Sequence, residues 1–290
     1  MIWLSTRWRI VLMLAPAVVI FTALILYPVR YSLYYSFTDF KGFGEPHFVG
    51  LENYAGLMQD PFFWRALQNT FIILVVSIIV LIPGSFGLAL LLHRRLPGAG
   101  VMRALVFAPA IIAPILVGLI WVFLLDPKLG ILSKVLVALG APDTLQLIGG
   151  DTLTPYSVAL VFIWSSAGFA MTIFYAGLQM LPADVMEAAA LDGATGWQRV
   201  RHITIPMMRE TFAITSVLLI TNVFKIFELV YVLTSGGPVH RSEVLVSYMY
   251  FVTFTNLQYG PGMALAVIVT LLGAIVSIGY LFLIRERKRA

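Results

Sequence analysis

Six long apolar stretches constrain the fold of this 290-residue chain more than any other feature of its sequence. Each is longer than the roughly 20 residues that an α-helix needs to cross the hydrocarbon core of a bilayer. Because lipid cannot pair with free backbone N–H and C=O groups, spanning segments of this kind form helices. The sequence therefore predicts an all-α integral membrane protein with six transmembrane helices, over residues 10–34, 66–92, 104–125, 155–178, 210–233 and 262–284.

The overall composition excludes an ordinary soluble domain. Hydrophobic residues make up 60% of the chain and charged residues 11%, whereas soluble domains average about one half and one quarter. The chain contains no cysteine, which excludes disulfides and thiolate metal sites. Its four histidines lie in separate loops, and this scatter favours solvated side chains over a metal site.

The distribution of Lys and Arg predicts the orientation of the chain in the membrane. With six spans, 12 of these residues fall on the side that holds both termini and six on the other, while Lys225 lies within a span. Positive charge gathers on the cytoplasmic side of membrane proteins, so both termini are expected in the cytoplasm. No small-residue cleavage site follows the first apolar stretch, which indicates a retained span rather than a signal peptide. The basic charge is thus a topology signal and does not indicate nucleic-acid binding.

Residues 183–206 form a polar segment on the predicted cytoplasmic side and have the features of a folded structure. Asp184 and Glu187 have the spacing of a capping box, which predicts that a helix starts there. This helix should run through Ala190 and end near Gly193, since glycine is the usual residue just beyond a helix C-terminus.

A second short helix is predicted from Gly196 to Thr204. Thr195 and Gln198 repeat the capping-box spacing at its start. Pro206 should then bend the chain into the next apolar stretch. The sequence therefore predicts a cytoplasmic helix-turn-helix that presents small residues and one carboxylate to a partner.

The residue spacing in this segment resembles the cytoplasmic EAA loop of the membrane subunits of binding-protein-dependent ABC importers. In that family the loop docks in a cleft on the ATPase subunit. The resemblance implies that Glu187 meets a basic group there, while Ala188 and Ala189 permit close approach. Ile205 departs from the family pattern, in which leucine is commoner. The residues implied to couple the chain to the ATPase are Glu187, Ala188, Ala189, Asp192, Gly193, Ile203 and Pro206.

Two segments on the predicted outer side resemble the carbohydrate permeases of the same family. Residues 48–54, with the sequence Phe-Val-Gly-Leu-Glu-Asn-Tyr, are similar to the first outer loop of those permeases. Residues 234–238 resemble the Thr-x-Gly-Gly-Pro signature that follows the corresponding span. A Gly-Gly-Pro run by itself predicts only a turn. Together with the EAA loop it implies that the binding protein contacts Gly236, Gly237 and Pro238.

Lys225 and Glu228 lie within the fifth predicted span. Three positions apart on one helix, they would share a face and pair. Because an unpaired charge at that depth is costly, both must face protein or water. The pair either joins this span to a neighbouring helix or belongs to a substrate pathway. We favour a pathway, since hydroxyls, an amide and aromatic rings are expected nearby. Its candidate residues are Trp164, Ser165, Ser166, Asn222, Phe224, Lys225 and Glu228.

The sequence contains no recognisable catalytic motif. It has no phosphate-binding Gly-x-x-x-x-Gly-Lys-Ser/Thr loop, no His-Glu-x-x-His and no nucleophile elbow. We therefore expect that the chain is not an enzyme and that it holds no catalytic residue, metal or cofactor. The family resemblance implies that ATP and magnesium bind to the partner ATPase subunits.

The resemblance covers nearly the whole chain and implies a permease subunit of an ATP-driven carbohydrate importer in a prokaryotic cell membrane. The implied partners are a second related permease, two ATPase subunits, an extracytoplasmic sugar-binding protein and membrane lipid. The charges of Lys225 and Glu228 sum to zero, which predicts a neutral ligand. Glycerol-3-phosphate-like polyol phosphates are an alternative. An ion-coupled secondary transporter would need carboxylates at broken helices, and a membrane enzyme would need convergent catalytic groups.

Overall fold

The computed structural model describes residues 7–94, 97–127, 129–140, 142, 146–150, 152–237 and 240–286. Within these residues the chain is almost entirely helical, and its β structure is an isolated antiparallel bridge between Thr38 and Phe48. The all-α prediction is confirmed. In chain order the α-helices are α1 (Arg7–Phe21), α2 (Tyr27–Tyr35), α3 (Glu52–Gln59), α4 (Pro61–His93), α5 (Ala99–Ile111), α6 (Pro114–Leu125), α7 (Ile131–Ala138), α8 (Thr154–Gln179), α9 (Ala183–Leu191), α10 (Gly196–Arg199), α11 (Ile205–Met207), α12 (Arg209–Phe224), α13 (Glu228–Thr234), α14 (Leu245–Tyr250) and α15 (Tyr259–Glu286). Single π-helical turns occupy Thr22–Leu26, Val200–Thr204 and Phe251–Thr255.

Four helical segments in the described part of the chain are long and apolar enough to cross a membrane. They are Ile10–Tyr35, Pro61–His93, Thr154–Gln179 and Tyr259–Phe282. Two sharply bent helix pairs raise the number to six if each pair forms one span. Helix α8 differs from the predicted stretch 155–178 by one residue at each end, whereas α4 begins at Pro61 rather than at residue 66.

The predicted span over residues 104–125 is not one continuous helix. Helix α5 ends at Ile111, α6 begins at Pro114, and the two helices are bent by 97° relative to each other. Proline disfavours helical backbone at the residue before it, and Ala113 has a ψ of 136°. Ile112 is also extended, with a ψ of 133°. This stretch therefore contains a sharp corner instead of a straight helix.

The predicted span over residues 210–233 is also interrupted. Helix α12 ends at Phe224 and α13 begins at Glu228. Between them Phe227 leaves the helical region of backbone space, with φ −135° and ψ −65°. The break contains neither proline nor glycine, and Ile226 within it is buried. Tertiary packing thus holds this interruption in place.

One compact unit of the fold comprises residues 1–60 and 249–269. In it the side-chain amide of Asn53, on α3, donates to the carbonyl oxygens of Ser36 and Thr38, each at 2.8 Å. The backbone N–H of His47 donates to Asp39 at 2.8 Å, and this bond lowers the pKa of the Asp39 carboxyl below its ordinary value. These bonds fix the loop that follows α2. The apolar side chains of α1 and α2 are exposed along the helices.

The second compact unit comprises residues 61–248 and 270–290. Helices α4 and α8 run side by side at its centre, with α5 and α12 packed against α8. The rings of Phe86, Phe174 and Phe212 join α4, α8 and α12, with centroids 4.7 to 5.6 Å apart. A Cβ at Gly168 would overlap the backbone of α5, so α5 and α8 approach each other as closely as only glycine allows. All the candidate coupling and pathway residues lie in this unit.

Candidate substrate cavity and coupling loop

A cavity of about 480 Å³ lies between the two helix interruptions of the second unit. Pro109, Ile112 and Pro114 line it from the α5–α6 corner, while Lys225 and Glu228 line it from the α12–α13 break. Backbone that is not helical is tolerated at membrane depth only where it is buried in protein or faces a cavity. The position of both interruptions on one cavity therefore explains why a membrane protein retains them.

The polar part of the cavity lining comes mainly from α8 and from the α12–α13 break. Ser165 and Ser166 contribute hydroxyls from α8, and Asn222 contributes an amide near the end of α12. The Ser165 hydroxyl donates to the carbonyl oxygen of Phe162 at 3.0 Å, within its own helix. Five of the seven predicted pathway residues thus meet at one cavity: Ser165, Ser166, Asn222, Lys225 and Glu228.

Lys225 and Glu228 do not share a helix face, which corrects the predicted pairing. Lys225 is the residue that caps α12, and Glu228 is the first residue of α13. Both side chains are exposed, and among the described residues no ion pair joins them. The chain therefore places one cation and one anion separately in the cavity wall.

Trp164 and Phe224 are not part of the cavity lining. Trp164 packs edge-to-face on Trp121, with ring centroids 5.5 Å apart. Phe224 is only 3% exposed and packs edge-on against Phe71. The prediction that these two rings face the pathway is not supported.

Three other rings line the cavity, namely Phe107, Phe162 and Phe169. Sequence reasoning missed them, although a signal was present. Phe162 and Phe169 lie three or four residues from the predicted serines on α8, and such positions share a helix face. The cavity thus combines aromatic faces, hydroxyls, an amide and two opposite charges. Apolar walls with a few convergent polar groups are typical of small-molecule sites.

Residues 183–206 form the predicted helix-turn-helix, and the turn has the predicted chemistry. Gly193 has φ 76°, and its N–H donates to the carbonyl oxygen of Ala190 at 3.2 Å. The N–H of Ala194 donates to the carbonyl oxygen of Ala189 at 3.0 Å. These two bonds form a Schellman motif, which ends α9 near Gly193, as the sequence predicted.

The predicted starts of the two short helices differ in outcome. Thr195 and Gln198 form a reciprocal capping box, as predicted. Asp184 and Glu187 do not, because α9 begins at Ala183 after Pro182 and no side chain caps it. Asp184 instead lies in the first turn, where a carboxylate interacts favourably with the helix dipole.

The second helix of the loop is less regular than predicted. Helix α10 ends at Arg199, a π-helical turn follows over Val200–Thr204, and α11 carries Pro206. The chain bends by 70° between Met207 and Arg209, so the turn into the next helix comes just after the proline.

Exposure divides the predicted coupling residues into two groups. Glu187, Ala188, Asp192 and Gly193 are exposed, whereas Ala189 is 6% exposed and faces the interior of the chain. Ala188 is therefore available for close approach and Ala189 is not. Ile203 and Pro206 are half-buried.

The two most exposed large apolar side chains of the loop were not among the predicted coupling residues. Leu191 is 89% exposed and Trp197 is 70% exposed, next to the turn at Gly193. Behind the loop lies a cleft of about 900 Å³, whose lining includes Glu187, Arg94 and Arg199. Both side chains are candidates for a protein–protein contact.

The predicted binding-protein contact lies in the turn after α13. Gly236 is buried with φ 77°, and the N–H of Gly237 donates to the carbonyl oxygen of Thr234 at 2.8 Å. Pro238, the third predicted residue, lies outside the described residues. Of this trio, Gly237 is half-buried and the more accessible of the two described.

The second unit is thus a bundle of apolar helices in which two broken segments line a largely apolar cavity with a few polar groups, and the comparisons identify the family of the chain. The chain belongs to the family of binding-protein-dependent transport system inner membrane components, whose model matches residues 82–289. The match includes both helix interruptions and the helix-turn-helix at residues 183–206. The chain is therefore a multi-pass membrane component of a transport system, and its relatives are permease subunits.

Several curated relatives match along nearly their whole length. A probable ABC transporter permease of Pyrococcus horikoshii is 31% identical over 94% of this chain and 94% of its own. A probable starch degradation products transport system permease of Thermoanaerobacterium thermosulfurigenes is 28% identical over 96% and 94%. The sn-glycerol-3-phosphate transport system permease of Agrobacterium fabrum is 32% identical over 89% and 88%.

A solved structure shares the fold. It is a bacterial alginate ABC transporter in complex with a periplasmic protein that carries an alginate pentasaccharide. One of its chains superposes with a TM-score of 0.80 and 22% identity, over 94% of this chain and 92% of that one. At this identity the likeness concerns the fold alone.

Proposed function

We propose that this chain is the permease subunit of an ATP-driven importer for a neutral carbohydrate. The observation that carries the proposal is the cavity at the two helix interruptions. Aromatic faces, hydroxyls and an amide suit a polyhydroxylated ring, whose apolar face stacks while its hydroxyls form hydrogen bonds. The formal charges of Lys225 and Glu228 in the lining sum to zero, which favours a ligand without net charge.

The transport step on this proposal is alternating access around the cavity. The exposed surface of the coupling loop, with Glu187, Leu191 and Trp197, docks on an ATPase subunit, where ATP and magnesium bind. Closure of two ATPase subunits moves this loop, and the helices of this chain and of a second, related permease rock so that the cavity opens outward. An extracytoplasmic binding protein delivers the sugar at the outer side. This chain itself supplies the path and hydrolyses nothing.

The orientation of the chain follows from the same proposal. The coupling loop and both termini face the cytoplasm of a prokaryotic cell, because that is where ATP is available and where Lys and Arg concentrate. Lipid surrounds the exposed apolar helices. The turn at Gly236 and Gly237 faces the binding protein outside.

A second candidate substrate is a polyol phosphate. Lys225 is exposed in the cavity and, in the described part of the chain, forms no ion pair with Glu228, so its ammonium group is available to a phosphate. The glycerol-3-phosphate permease at 32% identity supports this candidate. Glu228, however, would repel such an anion from the same cavity.

Uptake by the complete transporter distinguishes these functions. The tagged chain is purified from native membranes, and the complex is reconstituted in proteoliposomes with ATP inside and its extracytoplasmic binding protein outside. We expect a second permease and two ATPase subunits to copurify, and uptake of trehalose or maltose to require ATP. Preferential uptake of glycerol-3-phosphate would support the second candidate. Uptake by the isolated chain, driven by an ion gradient without ATP, would contradict both.

A further inference from the structure

Glu243 is the one charged side chain that is fully buried in the described part of the chain, with 4% exposure. It lies between the turn at residues 234–237 and helix α14. A buried carboxylate is costly unless hydrogen bonds compensate for its lost hydration. The hydrogen-bond partners of Glu243 therefore indicate its structural role.

Both carboxylate oxygens of Glu243 have partners. The Ser247 hydroxyl donates to Oε2, and His240 Nδ1 lies 3.3 Å from Oε1. The same Ser247 oxygen accepts the N–H of Val244 at 2.9 Å. The carboxylate thus joins His240, three residues beyond the turn, to the start of α14. The Ser242 hydroxyl links this segment to the turn, because it donates to the carbonyl oxygen of Gly237 at 2.7 Å.

The same segment is tied to the first part of α4. The Asn69 side-chain amide donates to the carbonyl oxygens of Arg241 and Glu243, at 2.9 and 2.8 Å. The Thr70 hydroxyl accepts the N–H of Leu245 at 3.1 Å. Because α4 is one of the two central helices of this unit, these bonds anchor the segment that follows the turn on an extensively packed element.

The backbone in the turn and just after it is in a conformation that needs such support. Ser235 and His240 have φ values of 47° and 57°, a left-handed region that residues with side chains rarely adopt. A Cβ at Gly236 would meet the carboxylate of Glu243. Backbone strain of this kind persists where the surrounding structure fixes it, and it concentrates at binding sites and switch regions.

We propose that Glu243 is a positioning residue that fixes the segment at residues 240–247 against Asn69 and Thr70, and so holds the adjoining turn at residues 234–237 in the shape that the binding protein recognises. This inference rests on the proposed function, because it assumes an importer that receives its sugar from such a protein. Glu243 acts through the turn and does not touch the sugar. The preformed turn saves the entropy of ordering a loop at the moment of docking.

The first test measures whether the turn opens when Glu243 is removed. The chain has no cysteine of its own, so a single Val244→Cys reports on the buried segment and a Val158→Cys in α8 reports on general unfolding. Glu243→Ala should raise the maleimide labelling rate at position 244 by roughly tenfold, the effect of losing a hydrogen bond to a charged group. Labelling at position 158 should not change. Ser77→Ala is the matched control, because that serine of α4 is also buried but its hydroxyl has no hydrogen-bond partner among the described residues.

Ser247→Ala is a milder variant that removes the hydroxyl donor and keeps the carboxylate. If Glu243→Ala does not accumulate in the membrane, the labelling rate at position 244 is measured in Ser247→Ala instead. An unchanged labelling rate at position 244 in a variant that does accumulate would overturn the proposal.

The second test separates docking from simple stability. The extracytoplasmic binding protein of the transporter is purified separately and titrated against the complete complex, and ATP hydrolysis is recorded. Ser247→Ala and Glu243→Ala should raise its half-saturating concentration about tenfold. Basal hydrolysis and the maximal stimulated rate should stay at the wild-type level, which a general loss of folded protein would not allow.

The outcomes distinguish this inference from the proposed function. Wild-type transporter that the binding protein does not stimulate would overturn the proposed function and the docking role together. Normal stimulation with an unchanged half-saturating concentration in both variants would overturn the docking role alone. An opened turn with weakened docking would support the inference.

Discussion

Lys225 and Glu228 each face the cavity from opposite ends of a three-residue interruption, and neither is buried. Removal of one partner of a buried ion pair leaves the other charge stranded, at a cost of about 3–5 kcal/mol. Exposed, separate charges do not incur that penalty. Single substitutions at these positions are therefore informative about transport, because the fold should tolerate them.

Glu228→Gln should reduce sugar affinity and leave the protein abundant in the membrane. Loss of a hydrogen bond to a charged group costs about 1.5–3 kcal/mol, so the KM for uptake should rise roughly tenfold or more. Uptake kinetics and immunoblots of membranes measure the two quantities. The exposed Glu52→Gln is a control for the loss of one negative charge. If the Glu228→Gln protein is lost from the membrane, the conclusion that Lys225 and Glu228 do not form a pair is wrong.

Lys225→Met distinguishes the two candidate substrates. For a neutral sugar the loss of Lys225 should raise KM by a factor comparable with that of Glu228→Gln. For a polyol phosphate, Glu228→Gln should improve uptake because it removes a repelling charge, while Lys225→Met abolishes it. Uptake of both substrate classes by both variants provides the comparison. Unchanged uptake in both variants would place the path outside this cavity.

At the scale of single elements, the coupling loop depends on the left-handed turn at Gly193. An alanine in that conformation costs about 1–2 kcal/mol, and the strain acts directly on the end of α9. Gly196, three residues later, has open space around it and no positive φ. These two glycines form a matched pair within one loop.

Gly193→Ala should weaken the coupling of ATP hydrolysis to uptake, and Gly193→Pro should weaken it further. Glu187→Ala should have a similar effect while the permease remains in the membrane, since its side chain is exposed. The ratio of sugar imported to ATP hydrolysed is the measured quantity. Gly196→Ala should retain the wild-type ratio. Full coupling in both Glu187→Ala and Gly193→Pro would exclude this loop as the ATPase contact.

The contact between α5 and α8 depends on the absence of a side chain at Gly168. A methyl group there overlaps the backbone of α5, and overpacking of this kind costs about 1–3 kcal/mol. Gly168→Ala should therefore lower the Tm of the purified permease by several degrees, at roughly 2–4 °C per kcal/mol. Gly84→Ala, in α4 where nothing lies near the added Cβ, should leave the Tm unchanged or raise it. Equal Tm values for the two variants would contradict the close approach of α5 and α8 at Gly168.

For the whole molecule, the sequence predicts the positions of the helices better than their continuity. The apolar stretch at residues 155–178 matches α8 within one residue at each end, because hydropathy marks where a helix enters lipid. The corner before Pro114 had a visible signal in its prolines. The break at residues 225–227 had none, since it depends on the packing of α13 against α6 and on the burial of Ile226.

The candidate site shows the same division. Gly193, Thr195 and Gln198 act through local backbone chemistry, and their roles in the loop could be predicted from spacing. The pairing of Lys225 with Glu228 assumed a continuous helix. The assignment of Phe224 to the pathway assumed that its side of the helix faces the cavity. Both depend on tertiary contacts that a single sequence does not contain.

The orientation of the whole chain gives a simple prediction. An epitope tag placed after Ala290 should be accessible from the cytoplasm only, because positive charge concentrates on the side of both termini. Protease digestion of intact and of permeabilised cells measures this accessibility. Cleavage of the tag in intact cells would invert the assignment of every loop.

The most direct test of the central claim is substrate protection of a cysteine in the cavity. The chain has no cysteine, so Ser166→Cys places one in the cavity lining, and Ser277→Cys in α15 serves as the control outside it. The measurement is the alkylation rate of each in the complete transporter, with and without the sugar that it imports. At about nine times its Kd the sugar should slow alkylation at position 166 about tenfold by occupancy, and leave position 277 unchanged. An unprotected cysteine at position 166 in a transporter that still imports the sugar would contradict the claim that this cavity is the path.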